Sequence, residues 1–275
     1  MHDFNYYRPG TLDEALTLLR EHDDATLLAG GMTLLPTLKF RLAQPGALID
    51  LGAIRDLRGI REHRHFIEIG AMTIHADIAA STLIRQRLPA LASLVRCVGD
   101  PQVRNRGTIG GSVANNDPAA DYPAAVLGLN AVVVTDRREI TADEFFLGMF
   151  ETALEEGEIL VALRFPMPQR AAYAKFANPA SRYAIAGVMV VETGDGEGVG
   201  DSDRDRVRVA VTGAAPAVFR ARDIEAALAA KFSVSSLDSI TIDPDALSSD
   251  MHADANYRAH LVIAMARRAV KEMCD

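Results

Sequence analysis

Two glycine-rich turns carry the residues of this chain that are best suited to chemistry. The first is Ala29-Gly30-Gly31-Met32-Thr33, and the second is Thr108-Ile109-Gly110-Gly111-Ser112. Adjacent glycines let backbone N–H groups approach an anion without interference from a Cβ atom. The threonine and serine hydroxyls can add further donors. We therefore interpret the pair as a site for the diphosphate of a dinucleotide, held between two parts of the chain.

An acidic segment follows the second turn and supports the same interpretation. It contains Asn115, Asp117 and Asp121. Amide and carboxylate oxygens accept hydrogen bonds, so these side chains could hold the hydroxyl groups of a polyol. One glycine turn alone would be a weak signal, whereas two turns with an acidic sequel favour a clamped dinucleotide.

Other chemical signatures are missing from the sequence. It contains no GxGxxG dinucleotide fingerprint, no GxxxxGK[ST] phosphate loop and no GxSxG nucleophile motif. His63 and His65 form an HxH pair with no second ligand cluster, so we expect no metal site there. Cys97 has no His or Lys beside it in the sequence and is expected to be a buried, unreactive thiol. With no acid–base or nucleophilic set in view, any chemistry is expected to come from a bound cofactor.

Composition limits the class of protein. The chain has 275 residues, 49% hydrophobic and 24% charged, which is typical of a soluble globular protein. The net charge of −8 argues against nucleic acid as a partner, because the phosphate backbone attracts a basic surface. The two cysteines form no CxxC motif, so no iron–sulfur cluster is expected in this chain. Sparse cysteine and the lack of a long apolar run predict a cytoplasmic protein without a membrane span.

The elements around the first turn are predicted to position it. Thr11 to Glu14 is typical of a capping box that opens a helix lasting to about residue 22. Residues 25–29 form a short apolar strand, and a helical pattern resumes at residue 34. A glycine turn between a strand and a helix start suits phosphate binding.

The second turn is predicted to lie in a second lobe, with strands at residues 66–71, 131–135 and 159–165. Residues 74–80 and 83–98 are expected to be helical, with Pro89 as an interruption. Prolines 166 and 168 mark a break in composition, where we place a domain boundary. Beyond it, residues 172–176, 184–192 and 207–212 predict an antiparallel meander, followed by helices at 223–232 and 254–273.

The two turns and their surroundings resemble a known family. Residues 29–36 with Arg41 resemble the first FAD-binding stretch of the medium, flavoprotein subunits of molybdenum hydroxylases. That family includes the medium subunit of carbon monoxide dehydrogenase and the FAD-binding subunit of xanthine dehydrogenase. Residues 108–114 and 117–121 resemble the second stretch, and shorter matches run in order to about residue 190. Met32 is a departure, because a polar or small residue is common at that position.

The resemblance implies an α+β fold. Residues 1–168 would form a two-lobed FAD-binding domain of the vanillyl-alcohol-oxidase (PCMH) type, with lobes at about 1–53 and 54–168. Residues 169–275 would form a C-terminal α+β domain like that of carbon monoxide dehydrogenase flavoproteins, with a small antiparallel sheet and helices.

The resemblance also implies a binding site for FAD, with no catalytic residue and no metal ligand in this chain. The diphosphate would lie on the backbone of the two turns, Asp121 would meet the ribityl chain or a neighbouring hydroxyl, and Leu160 would pack on the isoalloxazine ring. Lys175 would lie near the pyrimidine edge of that ring. The residues alone, without the resemblance, indicate that Leu160 is a strand core residue and that Lys175 is a surface lysine. The implied contacts are Ala29, Gly30, Gly31, Met32, Thr33, Leu34, Thr108, Ile109, Gly110, Gly111, Ser112, Asn115, Asp117, Asp121, Leu160 and Lys175.

The function implied is electron transfer. Electrons would pass from [2Fe–2S] clusters of a small partner subunit through FAD to an external acceptor, while substrate would react at molybdopterin on a large partner subunit. The resemblance further implies a dimer of heterotrimers. Two alternatives stay open: a stand-alone flavin oxidoreductase of the same superfamily, and a non-catalytic nucleotide-binding module.

Overall fold

The computed structural model describes residues 1–193 and 206–275. Within these residues the chain forms an N-terminal, a central and a C-terminal β-sheet, and a two-stranded hairpin. Short 3₁₀ turns cover Leu51–Ala53, Arg55–Leu57, Val234–Leu237 and Pro244–Ala246.

The N-terminal sheet has three parallel strands. Its elements are β1 (Asn5–Tyr7), α1 (Leu12–Glu21), β2 (Ala25–Leu28), α2 (Leu34–Lys39) and β3 (Ala47–Asp50), with strand order β1-β3-β2. Helix α1 begins at the predicted capping box, because Thr11 Oγ1 accepts a hydrogen bond from the Glu14 N–H at 3.3 Å. The first glycine turn therefore lies between β2 and α2, as the sequence predicts.

The central sheet has five antiparallel strands. They are β4 (Ile60–Glu62), β5 (Phe66–Gly70), β6 (Val132–Thr135), β7 (Glu139–Thr141) and β10 (Leu160–Pro166), in the order β4-β5-β10-β6-β7. The hairpin consists of β8 (Phe146–Gly148) and β9 (Glu151–Thr152). The sequence analysis did not predict this hairpin.

Seven short helices accompany the central sheet among the described residues. They are α3 (His75–Ala80), α4 (Thr82–Arg87), α5 (Pro89–Arg96), α6 (Pro101–Arg104), α7 (Ile109–Asn115), α8 (Tyr122–Gly128) and α9 (Ala142–Phe145). The predicted helix at 83–98 is divided at Pro89, which starts α5 because proline is tolerated at the first helical position. The second glycine turn forms the start of α7.

The C-terminal sheet is an antiparallel meander. Strands β11 (Arg170–Ala177), β12 (Ala184–Glu192), β13 (Val207–Thr212) and β14 (Phe219–Arg220) pair in sequence order. Helices α10 (Arg222–Ala230) and α11 (Ala255–Cys274) follow. The predicted α+β fold with a small antiparallel C-terminal sheet is confirmed.

Buried apolar side chains join the sheets to one another. The core beneath the N-terminal sheet, which includes Ile49 and Leu57, also contains Met72 and Ile159 from the central region. The central core extends to Tyr173 of the C-terminal sheet, whose opposite face packs on α10 and α11. Each fully buried large side chain contributes about 1.5–3 kcal/mol, so the packing holds the loops at the sheet junctions in place.

Candidate cofactor-binding site

The first glycine turn presents backbone N–H groups that have no partner. Gly31 has a φ of 74°, a left-handed conformation that glycine adopts without a steric penalty. Among the hydrogen bonds of residues 1–193 and 206–275, none is donated by the N–H groups of Gly30, Gly31, Met32 or Thr33. Gly30 and Gly31 are also buried. Because buried amides are usually paired, these groups indicate a place for an anion.

The second glycine turn has already used much of its backbone. The N–H groups of Ile109 and Gly110 donate to the carbonyl oxygens of Thr73 and Ala71, at 3.1 and 2.8 Å. A Cβ atom on Gly110 would lie 2.5 Å from Ala71 Cβ, so glycine is required here for close packing. The expectation that the diphosphate lies along the backbone of this whole turn therefore needs revision.

The remaining groups of the second turn belong to its side chains. Thr108 caps α7 and accepts a hydrogen bond from the Gly111 N–H at 3.1 Å. Ser112 is half-buried, and its hydroxyl makes no hydrogen bond within the described part of the chain. The Ser112 hydroxyl is therefore a donor at this turn that no described residue uses.

The structure brings the two turns into direct contact. A Cβ atom on Gly30 would lie 2.2 Å from the carbonyl oxygen of Arg106 and 2.7 Å from Gly107 Cα, immediately before the second turn. A Cβ atom on Gly111 would lie 3.2 Å from Ala29 Cβ. Glycine at position 30 thus permits the close approach of two segments that are far apart in the sequence.

Asp121, at the start of α8, and Lys175, in β11, form a buried ion pair. Lys175 Nζ donates to Asp121 Oδ2 at 2.9 Å and to the Cys97 carbonyl oxygen at 3.1 Å, and both charged side chains are only 5% exposed. Tyr173 Oη donates to Asp121 Oδ1 at 2.6 Å. Burial raises the pKa of Asp121, while Lys175 and the Tyr173 hydrogen bond act to lower it. Lys175 is thus not the surface lysine that its sequence context alone would suggest.

The other predicted contacts occupy several different environments. Leu160 is buried in the central core at an irregularity in β10, and Asp117 Oδ1 accepts a hydrogen bond from the Ala119 N–H at 2.9 Å. Met32 is exposed, whereas Leu34 and Asn115 are half-buried. The structure therefore brings the two turns together, and α7 of the second turn packs against α8, which Asp121 precedes. Leu160 lies where an ordinary core residue would also lie.

Two residues near the turns were missed by the sequence analysis. Asn116 ends α7 with a φ of 43°, and its side-chain amide donates to the carbonyl oxygens of Gly148 and Glu151, both at 2.8 Å. Asparagine tolerates the left-handed region, which was the available signal. Tyr183 is 43% exposed, and its pKa is raised by burial and by the charges of Asp117 and Asp121. No local pattern marks Tyr183, because only the fold brings it beside these carboxylates.

His75 and Cys97 lie behind the second turn and the ion pair. His75 is buried, its Nδ1 lies 3.1 Å from Tyr122 Oη, and burial with the Arg104 charge lowers its pKa to about 4. Cys97 is exposed, so the prediction of a buried thiol is wrong. Although the residue is exposed as a whole, partial desolvation of its thiol and the Asp121 charge raise the pKa of Cys97. Both groups are therefore uncharged in neutral solution.

Two family models cover almost all of the chain. The FAD binding domain in molybdopterin dehydrogenase matches residues 2–168, and the CO dehydrogenase flavoprotein C-terminal domain matches residues 171–273. The chain belongs to the flavoprotein family of the molybdopterin dehydrogenases. The predicted family, the FAD cofactor and the function as the medium subunit of a molybdenum hydroxylase are confirmed.

Relatives in this flavoprotein family match this chain over nearly the whole of both sequences. The carbon monoxide dehydrogenase medium chain of Hydrogenophaga pseudoflava is 38% identical over 97% of this chain and 96% of its own length. The nicotine 6-hydroxylase medium subunit of Paenarthrobacter nicotinovorans is 36% identical, again over 97% and 96%. This flavoprotein therefore matches relatives that differ in substrate.

Solved structures of the family have the same fold. The carbon monoxide dehydrogenase of Hydrogenophaga pseudoflava matches with a TM-score of 0.86 and 38% identity, covering 98% of this chain and 96% of that chain. Quinoline 2-oxidoreductase from Pseudomonas putida 86 matches with a TM-score of 0.83 and 27% identity over the same shares. Among the described helices of this flavoprotein, none is long and apolar enough to cross a membrane.

Proposed function

We propose that this flavoprotein transfers electrons from [2Fe–2S] clusters of a small partner subunit to an external acceptor, within a complex whose large subunit holds molybdopterin. The observation that carries the proposal is the contact between the two glycine turns, where the N–H groups of residues 30–33 donate no hydrogen bond within residues 1–193 and 206–275. The bound FAD supplies the redox chemistry, and the protein supplies its position and electrostatic surroundings.

The residues at the turns fit a diphosphate. Unpaired N–H groups of residues 30–33 are suited to phosphate oxygens, and the Ser112 hydroxyl adds a donor from the other turn. Because the amides of Ile109 and Gly110 are engaged, we assign the phosphate contacts mainly to the first turn. Both turns remain in the proposed site, since their contact forms its floor.

The ion pair fits the redox end of the cofactor. An ammonium group has three N–H donors, and Lys175 uses two of them, on Asp121 and on Cys97. The third donor has no acceptor among the described residues and is available for a carbonyl oxygen of the flavin. A cation at that position would favour the anionic reduced form. The half-exposed ring of Tyr183, beside Asp117 and Asp121, would form one wall of the same site.

Assembly and location complete the proposal. We place the domain boundary at 168/169, which the limits of the two family models support. The relatives' names as subunits of complexes support large and small partners, and we further propose a dimer of heterotrimers. Both cysteines are free thiols, which supports a cytoplasmic location.

Cofactor binding is tested on the purified chain. FAD is added in an amount equimolar with the protein chain, unbound FAD is removed by gel filtration, and the absorbance of the bound flavin is measured. The sequence has no tryptophan, so aromatic absorbance of the protein interferes little. One FAD per chain is expected. A chain that gains no flavin absorbance would contradict the proposal.

Partnership is tested on the native complex. Affinity purification of the tagged chain from its own cells is expected to recover molybdopterin and iron–sulfur subunits, with flavin reduced by the substrate of the complex. If the isolated chain reduces its flavin with substrate and no partner, the stand-alone oxidoreductase is correct. If FAD binds but no partner or redox turnover is found, the chain is a nucleotide-binding module.

A further inference from the structure

We propose that Tyr173 is a positioning residue that holds Asp121 ionised against Lys175, and that through this contact it sets the reduction potential of the bound flavin. The inference rests on the proposed function, because it requires Lys175 to lie at the flavin. It goes beyond that function because the buried Tyr173 hydroxyl would act on the flavin through Asp121 and Lys175, without contacting the cofactor.

The carboxylate of Asp121 does not cap the helix that it precedes. Asp121 is the N-cap residue of α8, where an aspartate commonly accepts a hydrogen bond from the helix backbone. Here its side chain makes no capping bond. One oxygen accepts from Tyr173 and the other accepts from Lys175. Both oxygens of the carboxylate therefore bind side chains of the neighbouring sheet rather than the helix backbone.

Strand geometry explains why the two partners reach the same carboxylate. Tyr173 and Lys175 are two positions apart in β11, and alternate residues of a strand project from the same face. Gly187 of β12 lies opposite Lys175 in the register. A Cβ atom on Gly187 would lie 2.3 Å from Tyr173 Oη. The glycine in a central strand therefore makes the space that the tyrosine hydroxyl occupies.

The burial of this cluster makes the Tyr173 hydrogen bond important. Tyr173 is 6% exposed, and Asp121 and Lys175 are equally inaccessible. Burial and the Asp121 charge raise the pKa of Tyr173 well above its ordinary value, so its hydroxyl stays protonated and acts as the donor. Burial also raises the pKa of Asp121, which the Tyr173 hydrogen bond opposes. Removal of the hydroxyl would therefore favour protonation of Asp121.

The nearest source of that proton is Lys175 itself. A proton that moves from Lys175 Nζ to Asp121 Oδ2 breaks one N–H bond, forms one O–H bond and leaves an uncharged pair. The total number of protons is unchanged. The positive charge next to the cofactor is lost, so an electron-rich reduced flavin is less stabilised. The potential of the flavin is expected to fall.

The experiment measures the potential of FAD bound to the full chain, by equilibration with a reference dye. In Tyr173→Phe, the ratio of oxidised to reduced FAD at fixed ambient potential is expected to rise about tenfold, equivalent to about 30 mV for a two-electron couple. Lys175→Gln is expected to shift the ratio in the same direction by at least as much. Tyr257→Phe is the control, because that ring is half-exposed on α11 and its hydroxyl makes no hydrogen bond within the described residues.

The outcomes separate this inference from the proposed function. A wild-type chain that takes up no FAD overturns both. If the wild type and Tyr173→Phe bind FAD with the same potential, only the role of Tyr173 is overturned. The same holds if Tyr173→Phe folds and binds no FAD, because the hydroxyl would then hold the cofactor rather than tune it. If Tyr173→Phe does not fold, Lys175→Gln decides, and an unchanged potential in that variant overturns the inference.

Discussion

Ala29 and Gly111 lie against each other although they are far apart in the sequence. Ala29 follows strand β2 of the N-terminal sheet, and Gly111 lies in the first turn of helix α7. A Cβ atom added to Gly111 would be 3.2 Å from Ala29 Cβ, tighter than ordinary van der Waals contact. The contact joins the end of β2 to the start of α7 and therefore joins the two glycine turns. Any substitution that separates these loops changes the proposed site without touching its free N–H groups.

Gly30→Ala is expected to separate the turns. The new methyl group would lie 2.2 Å from the backbone oxygen of Arg106, which cannot move aside as a flexible side chain can. Overpacking of this kind costs about 1–3 kcal/mol, and we expect FAD affinity to fall about tenfold or more. Titration of flavin fluorescence measures the dissociation constant.

Gly10→Ala is the matched control for that experiment. The nearest atom to a Cβ on Gly10 is Glu14 Oε2 at 3.7 Å, an ordinary contact. Its affinity for FAD should equal that of the wild type. Equal affinity of Gly30→Ala and Gly10→Ala would show that the contact between the turns is not needed for binding.

Gly110→Val is expected to damage folding rather than binding. Its side chain would meet Ala71 Cβ at 2.5 Å and the Ala71 carbonyl oxygen at 2.7 Å, inside the protein. If the second turn only bound the diphosphate, as its glycines suggest, this substitution would remove FAD from a folded chain, but the structure fills that space with Ala71. Thermal unfolding of FAD-free protein should show a lower midpoint for Gly110→Val, and an unchanged midpoint with lost flavin would restore the original interpretation.

Asp121→Ala is expected to destabilise the FAD-free chain. It leaves the Lys175 ammonium buried with no carboxylate, which costs about 3–5 kcal/mol of folding free energy. If Asp121 acted only as a hydrogen-bond partner of the cofactor, its loss would instead cost about 1–3 kcal/mol in FAD binding. Urea unfolding of FAD-free protein distinguishes the two. The double variant Asp121→Ala, Lys175→Ala should recover part of the stability, and no recovery would show that the charges are not coupled.

His75 is expected to make the stability of the chain depend on pH. Its pKa in the folded chain is about 4, below the ordinary value of 6.5, because burial and Arg104 disfavour the charged ring. The stability that it contributes is thus present above pH 6.5 and is lost as pH falls towards 4, in total about 3 kcal/mol. Replacement by asparagine should remove this part of the pH dependence.

The measurement for His75 is a difference between two proteins. The free energy of unfolding in urea is measured for the wild type and for His75→Asn at pH 7.5 and pH 5. Other groups titrate equally in both proteins, so the difference between them isolates His75. The wild type should lose more stability between the two pH values. Equal losses would show that His75 is not buried as a neutral ring.

The sequence predicted those helices, strands and turns that are determined by residues close to one another in the sequence. The capping box at Thr11 and Glu14, the division at Pro89 and the strand–turn–helix around Gly30 and Gly31 each follow from local backbone preferences. Helix α8 and the β8–β9 hairpin were missed because both are short, and the hairpin is held by the distant Asn116 side chain. Periodicity is weak over so few residues.

For the candidate site, the sequence by itself determined the two glycine turns, since adjacent glycines mark a backbone that must pass close to something. It did not determine which amides are free. Ile109 and Gly110 bond to Thr73 and Ala71 only because the chain folds back on itself there. Likewise, Asp121 meets Tyr173 and Lys175 only when α8 packs on the C-terminal sheet. Hydrogen bonds between distant residues depend on tertiary packing, which no local pattern encodes.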